Sequence, residues 1–230
     1  TCTATGISSR PTTEPGTVAI ELLTIGTELL LGQTVDTNSA ELGRALAAAG
    51  VPVLRRTSVT DDPLAIRDAA YAALQRTGAF LATGGLGPTA DDVTKKVIAD
   101  LFGMPLTFRD EVWQALVARF ARAGRVPPEK NRVQAEVPEG GVILPNQWGT
   151  APGLWLEGPL GLAILLPGVP AEMRGLLHHE VLPRLAPRGK QVLDARTAYQ
   201  TVHMLEGVVT RGTAEVLKDL KLPIFGKTGT

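Results

Sequence analysis

Ala79-Phe80-Leu81-Ala82-Thr83-Gly84-Gly85-Leu86-Gly87-Pro88-Thr89-Ala90-Asp91-Asp92-Val93-Thr94-Lys95-Lys96 is the stretch on which the fold turns. An uninterrupted run from Ala79 to Thr83 has no polar alternation, as expected of a strand buried on both faces. Three closely spaced glycines follow, then a segment with helical character that reaches about Phe102, with Asp91 or Asp92 as its expected start. Working outward, Val18 to Ile25 reads as another buried strand and Asp36 to Ala49 as a helix, with Leu42, Leu46 and Ala49 on one face. Val51 to Val59 is β-prone, and Asp62-Pro63 opens a helix to about Arg76 with a capping residue and a first-turn proline. Strand and helix thus alternate, the pattern of an α/β domain with a mainly parallel sheet covered on both faces.

Downstream, a helix is expected over residues 109 to 123 and irregular chain over Val126 to Gly141. Short strands are expected at Val142 to Leu144, Leu154 to Leu156 and Leu162 to Leu166, and a closing helix over Pro170 to Leu185. Residues 1 to 17 are small, polar and without period, and read as a disordered lead-in. Opening on Thr rather than Met, the chain reads as processed, trimmed or a fragment.

Composition narrows the classes. Lysine plus arginine and aspartate plus glutamate both number 23, so the net charge is zero, against a general nucleic-acid binder. Hydrophobic residues make up 44% and charged residues 20%, an ordinary globular balance. A lone Cys2 cannot form an internal disulfide, which fits a reducing, cytoplasmic setting. No run approaches the ~20 apolar residues of a membrane helix, so no membrane partner is expected.

Ligands of parallel sheets bind beyond the carboxyl ends of the strands. Gly26, Gly84 to Thr89 and Pro167 to Pro170 all follow apolar strands and should gather on one rim. Glycines after a buried strand let backbone amides approach an anion, and a helix start adds positive field. A sharp strand-to-helix turn capped by Asp91 explains the same spacing, and both readings stay open here. Gly85, Gly87 and Ala90 also match G-x-G-x-x-A, but on the third strand. Asp91 and Asp92 would then crowd a pyrophosphate unless a divalent cation lay between them. Gly226-Lys227-Thr228 resembles the end of a P-loop whose first glycine is here Lys221.

In Ile25 to Ser39, Glu28 and Asp36 flank a loop and Asn38 offers donors and acceptors, while Asp36 is equally placed to cap its helix. Lys130-Asn131-Arg132 with Gln134 could neutralise phosphate or form a solvated face. LLPGVPAEM, Leu165 to Met173, is a proline-stiffened turn before a helix. His178 and His179 point in different directions on a helix, against paired metal binding.

IGTELLLGQTVDTNSAELGRALAAAGV, TGGLGPTADDVTKK, PPEKNRVQAEVPEGGVILPNQWGTAPG and LLPGVPAEM together resemble the N-terminal domain of the competence/damage-inducible CinA family, from about Val18 to Pro187. That domain is similar to the molybdopterin-binding fold of MoaB, MogA and MoeA. Its loop signature, G-G-x-G, four residues, then D-x-T, falls on Gly84, Gly85, Gly87, Asp92 and Thr94. The resemblance implies a three-layer α/β/α, MogA/MoaB-like fold, a self-associating domain (a homo-oligomer) and a site at the glycine loops. A C-terminal helical tail is expected separately, from Val202, Leu205 and Val209 falling on one face. The resemblance also implies metal-dependent hydrolysis of ADP-ribose to AMP and ribose 5-phosphate.

On that implication Asp36 and Asp92 would hold a divalent metal (Mg, Mn or Co) and Glu28 would position water. The small-molecule nucleotide would meet Gly26, Thr27, Asn38, Gly84, Gly85, Gly87, Pro88, Thr89, Thr94, Lys130, Asn131, Arg132, Pro167 and Gly168. The wider superfamily offers molybdopterin binding with adenylyl transfer as an alternative, and a nucleotide-binding module without turnover is a third. Two features depart from the family. No stretch of these 230 residues resembles the amidase domain of many CinA proteins. Residues 191–230 resemble instead a class A penicillin-binding protein fragment carrying Lys227-Thr228-Gly229. No S-x-x-K accompanies it: the serines are Ser8, Ser9, Ser39 and Ser58. β-Lactam chemistry is therefore not expected.

Overall fold

Three strands lacking any polar alternation form the middle of the main sheet, because each must be covered twice. They are β1 (Ile20–Ile25), β3 (Ala79–Thr83) and β8 (Gly161–Leu166). A computed structural model describes residues 18–185 of the chain, all within one compact unit. The expected lead-in and the readings of the 191–230 tail lie outside the described residues.

The sheet runs β2-β1-β3-β8-β7-β6, with β2 (Val53–Val59) at one edge and β7 (Gly153–Gly158) and β6 (Val142–Leu144) at the other. β2, β1, β3 and β8 are parallel, whereas β7 and β6 add antiparallel. Period-2 geometry sorts the side chains. Leu23, Ile25, Phe80, Ala82, Ala163 and Leu165 face one core. Ile20, Leu22, Ala79, Leu81, Ile164 and Leu166 face the other.

The first core is closed by Ile66, Ala70 and Leu74 of α3 (Pro63–Thr77), Ile98 of α4 (Thr94–Phe102) and Val112 of α5 (Asp110–Arg122). The second is closed by Leu42 and Leu46 of α2 (Thr37–Ala48) and by Met173 and Leu176 of α6 (Pro170–Leu176). This is the three-layer α/β/α, mainly parallel fold that the sequence implies. Among the described residues no helix is long and apolar enough to cross a membrane.

Several boundaries differ from expectation. A four-residue helix α1 (Thr27–Leu30) follows β1 at once. The expected irregular stretch contains a 3-10 helix, Glu129–Ala135, and β5 (Glu136–Pro138), which pairs antiparallel with β4 (Leu106–Phe108) in a separate two-stranded sheet. The closing helix is interrupted by a π turn at Leu177–Val181 before α7 (Leu182–Leu185). α4 starts at Thr94, its cap residue Val93 making no side-chain cap bond. Neither Asp91 nor Asp92 caps it, because Asp92 turns its carboxylate back along the loop.

Candidate functional site

Because β1, β3 and β8 run parallel as neighbours, their carboxyl ends share one rim, and the chain leaves each through a tight turn. α2 and α3, the connections to β2 and β3, cover opposite faces of the sheet, so the gap between β1 and β3 is the switch point where such folds open a crevice. Gly26 N–H donates to Val59 O at 3.0 Å, and Gly84 N–H to Leu166 O at 3.1 Å. Gly84 (φ 106°) and Gly85 (φ 66°) both lie in the left-handed region. A Cβ on Gly84 would stand 2.2 Å from Ile25 O, and one on Gly85 2.0 Å from Thr94 Oγ1. The loop therefore needs glycine at both places, for conformation and for contact.

These turns enclose a cavity of about 430 Å³. Of the sequence-predicted residues, Gly26 and Glu28 line it from the β1 side, and Gly84, Gly85, Gly87, Pro88, Thr89 and Asp92 from the β3 side. Pro167 and Gly168 line it from the β8 side. Thr27, Asn38 and Thr94 stand behind the wall. Thr27 N–H and Oγ1 both donate to Asp61 Oδ2, at 2.9 and 3.0 Å, and Asp61 lines the cavity. Asn38 Nδ2 donates to Gly168 O at 2.8 Å, tying α2 to the turn after β8. Thr94 is fully buried beneath Gly85. Among the described residues Asn38 Oδ1 and Thr94 Oγ1 are buried without a hydrogen-bond partner.

Four predicted residues are placed elsewhere. Asp36 does not line the cavity; it caps α2, Oδ1 accepting Ser39 N–H at 2.9 Å and Oδ2 accepting the Ser39 hydroxyl. Lys130 and Arg132 do not line it either. Lys130 is exposed, and the Arg132 guanidinium lies 4.7 Å over the Phe108 ring and 5.3 Å over Trp113, with Glu129 beside it. These aromatic faces hold it by cation–π attraction. Asn131 is buried and reaches the site through another residue, Nδ2 donating at 2.9 Å to Gln134 Oε1. Gln134 and Thr150, 3.3 Å apart, both line the cavity.

Among the described residues the cavity wall carries five carboxylates, Glu28, Asp61, Asp91, Asp92 and Glu172, and no Lys, Arg or His. Asp92 Oδ2 accepts Thr89 N–H at 2.8 Å and also the Thr89 hydroxyl. Glu172, at the start of α6, accepts Asn146 Nδ2 at 2.5 Å, and burial raises its pKa against the lowering pull of Asn146 and Arg119. Lys95 points away, Nζ donating to Val133 O, and burial lowers its pKa to about 8. Gln134, named in the sequence only beside Lys130 to Arg132, does line the cavity, whereas sequence reasoning missed Asp61, Thr150 and Glu172. The last lay in plain view within LLPGVPAEM, where an acid in a first helical turn looks like dipole chemistry alone.

The donor set bears on metal binding. Among the described residues no group of three or more His, Cys, Asp and Glu could cage a metal ion. Magnesium-type sites instead use one or two carboxylates with the substrate's own phosphates. A cavity rich in carboxylates fits that sharing; Asp92 lines it and Asp36 does not. Thr150 also borders a second cavity of about 770 Å³ against α5.

Residues 21–187 match the family described as "Probable molybdopterin binding domain". The chain is 47% identical over 204 residues to a CinA-like protein of Gemmatimonas aurantiaca, covering 86% of this chain and 47% of that relative. The crystal structure of the protein CinA with unknown function from Thermoplasma acidophilum is similar at TM-score 0.63 and 34% identity, covering 71% of this chain and 95% of that one. Molybdenum cofactor biosynthesis protein B is similar in fold alone, at TM-score 0.50 and 19% identity, covering 76% and 96%. The chain spans about half the length of the curated relatives it matches. By the family match and the CinA likeness together, the chain belongs to the molybdopterin-binding domain family, among its CinA-like members.

Proposed function

We propose that the cavity is the active site of a metal-dependent nucleotide pyrophosphatase whose substrate is ADP-ribose, cleaved to AMP and ribose 5-phosphate. One observation carries the reading: a glycine loop suited to phosphate faces a wall of carboxylates with no side-chain cation. A diphosphate cannot sit there unless a divalent cation stands between the two sets of negative charge. Asp92 would hold that cation together with phosphate oxygens. When bound, the cation supplies Lewis-acid polarisation of the phosphoryl group.

The chain's own residues do the rest. The Gly84 and Thr89 amides are already engaged, so the N–H groups of Gly85, Leu86 and Gly87 would be the loop's donors to phosphate. They would stabilise charge that develops on the phosphoryl oxygens. Asn38, through Gly168, fixes the turn that closes the opposite wall. Asn131, through Gln134, sets the third wall. The neighbouring cavity beside Thr150 gives room for the nucleoside end of the substrate.

The family description favours testing a second reading, molybdopterin binding with adenylyl transfer. A turnover screen over ADP-ribose, related dinucleotides, and ATP with molybdopterin separates the two. AMP and ribose 5-phosphate as products support the first. Tight pterin binding with adenylylated pterin as product would replace it with the second, and nucleotide binding without product would leave a binding module.

A further inference from the structure

Glu172 differs from the other four carboxylates of the cavity. Glu28 and Asp91 are exposed, and Asp61 and Asp92 are tied to Thr27 and Thr89. Glu172 is half-buried, and its acid group is pressed against the backbone of the loop before β7. A Cβ on Gly149 would stand 1.6 Å from Glu172 Cδ. The partners of its carboxylate are neutral, Asn146 Nδ2 at 2.5 Å and a backbone bond with Ala151. Asn146 is itself fixed, Nδ2 donating to Ala151 O at 2.7 Å and Oδ1 accepting the N–H groups of Trp148 and Gly149, each at 2.9 Å. Arg119 of α5 is the cation that acts on Glu172, but its guanidinium donates to Gln147 O at 2.8 Å. Among the described residues Glu172 has no ion pair. It is thus a cavity carboxylate held in one place by Asn146, partly desolvated, and with its proton affinity raised from the ordinary value by that burial.

We propose that Glu172 is the general base of the hydrolysis, an inference that rests on the pyrophosphatase reading above. The water oxygen bonds to one phosphorus as the bridging P–O bond breaks. The bond's electron pair leaves on the departing phosphate, and the water's proton passes to the Glu172 carboxylate, which later returns it to solvent. Desolvation suits the residue to this work, because a carboxylate of raised pKa is the stronger base.

The test is the pH profile of ADP-ribose turnover with magnesium for the wild type, Glu172→Gln and Glu172→Asp. Glu172→Gln can still accept from Asn146. It should lose about 100-fold or more in kcat, with KM little changed, and lose the acid limb of the profile. Glu172→Asp should retain that limb at intermediate kcat. Turnover by Glu172→Gln within about threefold of wild type, with the same limb, would overturn the assignment while leaving the pyrophosphatase reading intact. A wild type that makes no AMP would remove that reading and the role of Glu172 with it. Should Glu172→Gln not fold, Glu172→Asp decides: at least tenfold lower kcat supports the proposal, and unchanged kcat overturns it.

Discussion

Asp92 Oδ2 accepts the backbone N–H of Thr89 at 2.8 Å, three residues back along the glycine loop, and so closes that loop on itself instead of capping the helix that follows. The residue therefore has a conformational task and also brings a carboxylate to the cavity wall.

Substitution separates the two. Asp92→Asn keeps an acceptor for Thr89 but removes the charge, so stability should change by no more than about 1 kcal/mol. Turnover should fall at least about 100-fold, which corresponds to about 2.7 kcal/mol in the barrier. Paired kinetic and thermal-melting measurements check this. Retained turnover in Asp92→Asn, with lower stability in Asp92→Ala, would reduce Asp92 to a loop fastener.

Much of this arrangement is legible in the chain. Ala79–Thr83 reads as a strand to the residue, because four apolar positions and a β-branched Thr83 between Gly78 and Gly84 leave no other element that fits. The rim formed by Gly26, Gly84 and Pro167 follows from parallel order alone. Where reading fails, the signal is too short or is ambiguous. Leu106–Phe108 and Glu136–Pro138 hold three residues each, too few for any period, and pair across a whole helix. Arg132 looks free to meet phosphate because nothing local reveals that Phe108 and Trp113 come beneath it. Asp36 offers the opposite lesson: the bland reading as a helix cap is the one the structure realises.

Glu21 is 1% exposed on the central strand and is held by Arg76 of α3 through two bonds of 2.7 and 2.6 Å. Arg76→Ala leaves that carboxylate buried without its partner and should cost about 3 kcal/mol, the lower end for a broken buried pair because the arginine head is partly solvated. Replacing both residues by leucine should recover most of the loss. Urea denaturation of the single and double variants checks it, and a single-variant loss below about 1 kcal/mol would contradict it.

Lys95 sets a pH dependence. Burial lowers its pKa to about 8, with Glu136 and Asp92 pulling the other way. The unfolded chain binds this proton more tightly than the fold does, so stability rises with pH across the window from about 8 to the ordinary lysine value near 10.4. Lys95→Met removes the penalty. The stability advantage of Lys95→Met over wild type should therefore be largest near pH 7 and shrink by up to about 3 kcal/mol by pH 10.5. Chemical denaturation at both pH values measures the change, and a constant gap would show that the ammonium is not desolvated.

The central claim is that the cavity cleaves a diphosphate with the help of a divalent cation shared between substrate and carboxylates. Phosphorus NMR of ADP-ribose incubated with the protein addresses it most directly. With magnesium, the diphosphate signals should give way to two monophosphate signals, those of AMP and ribose 5-phosphate, and excess chelator should stop the change. Equal turnover in excess chelator, or persistence of the diphosphate with magnesium present, would contradict the account.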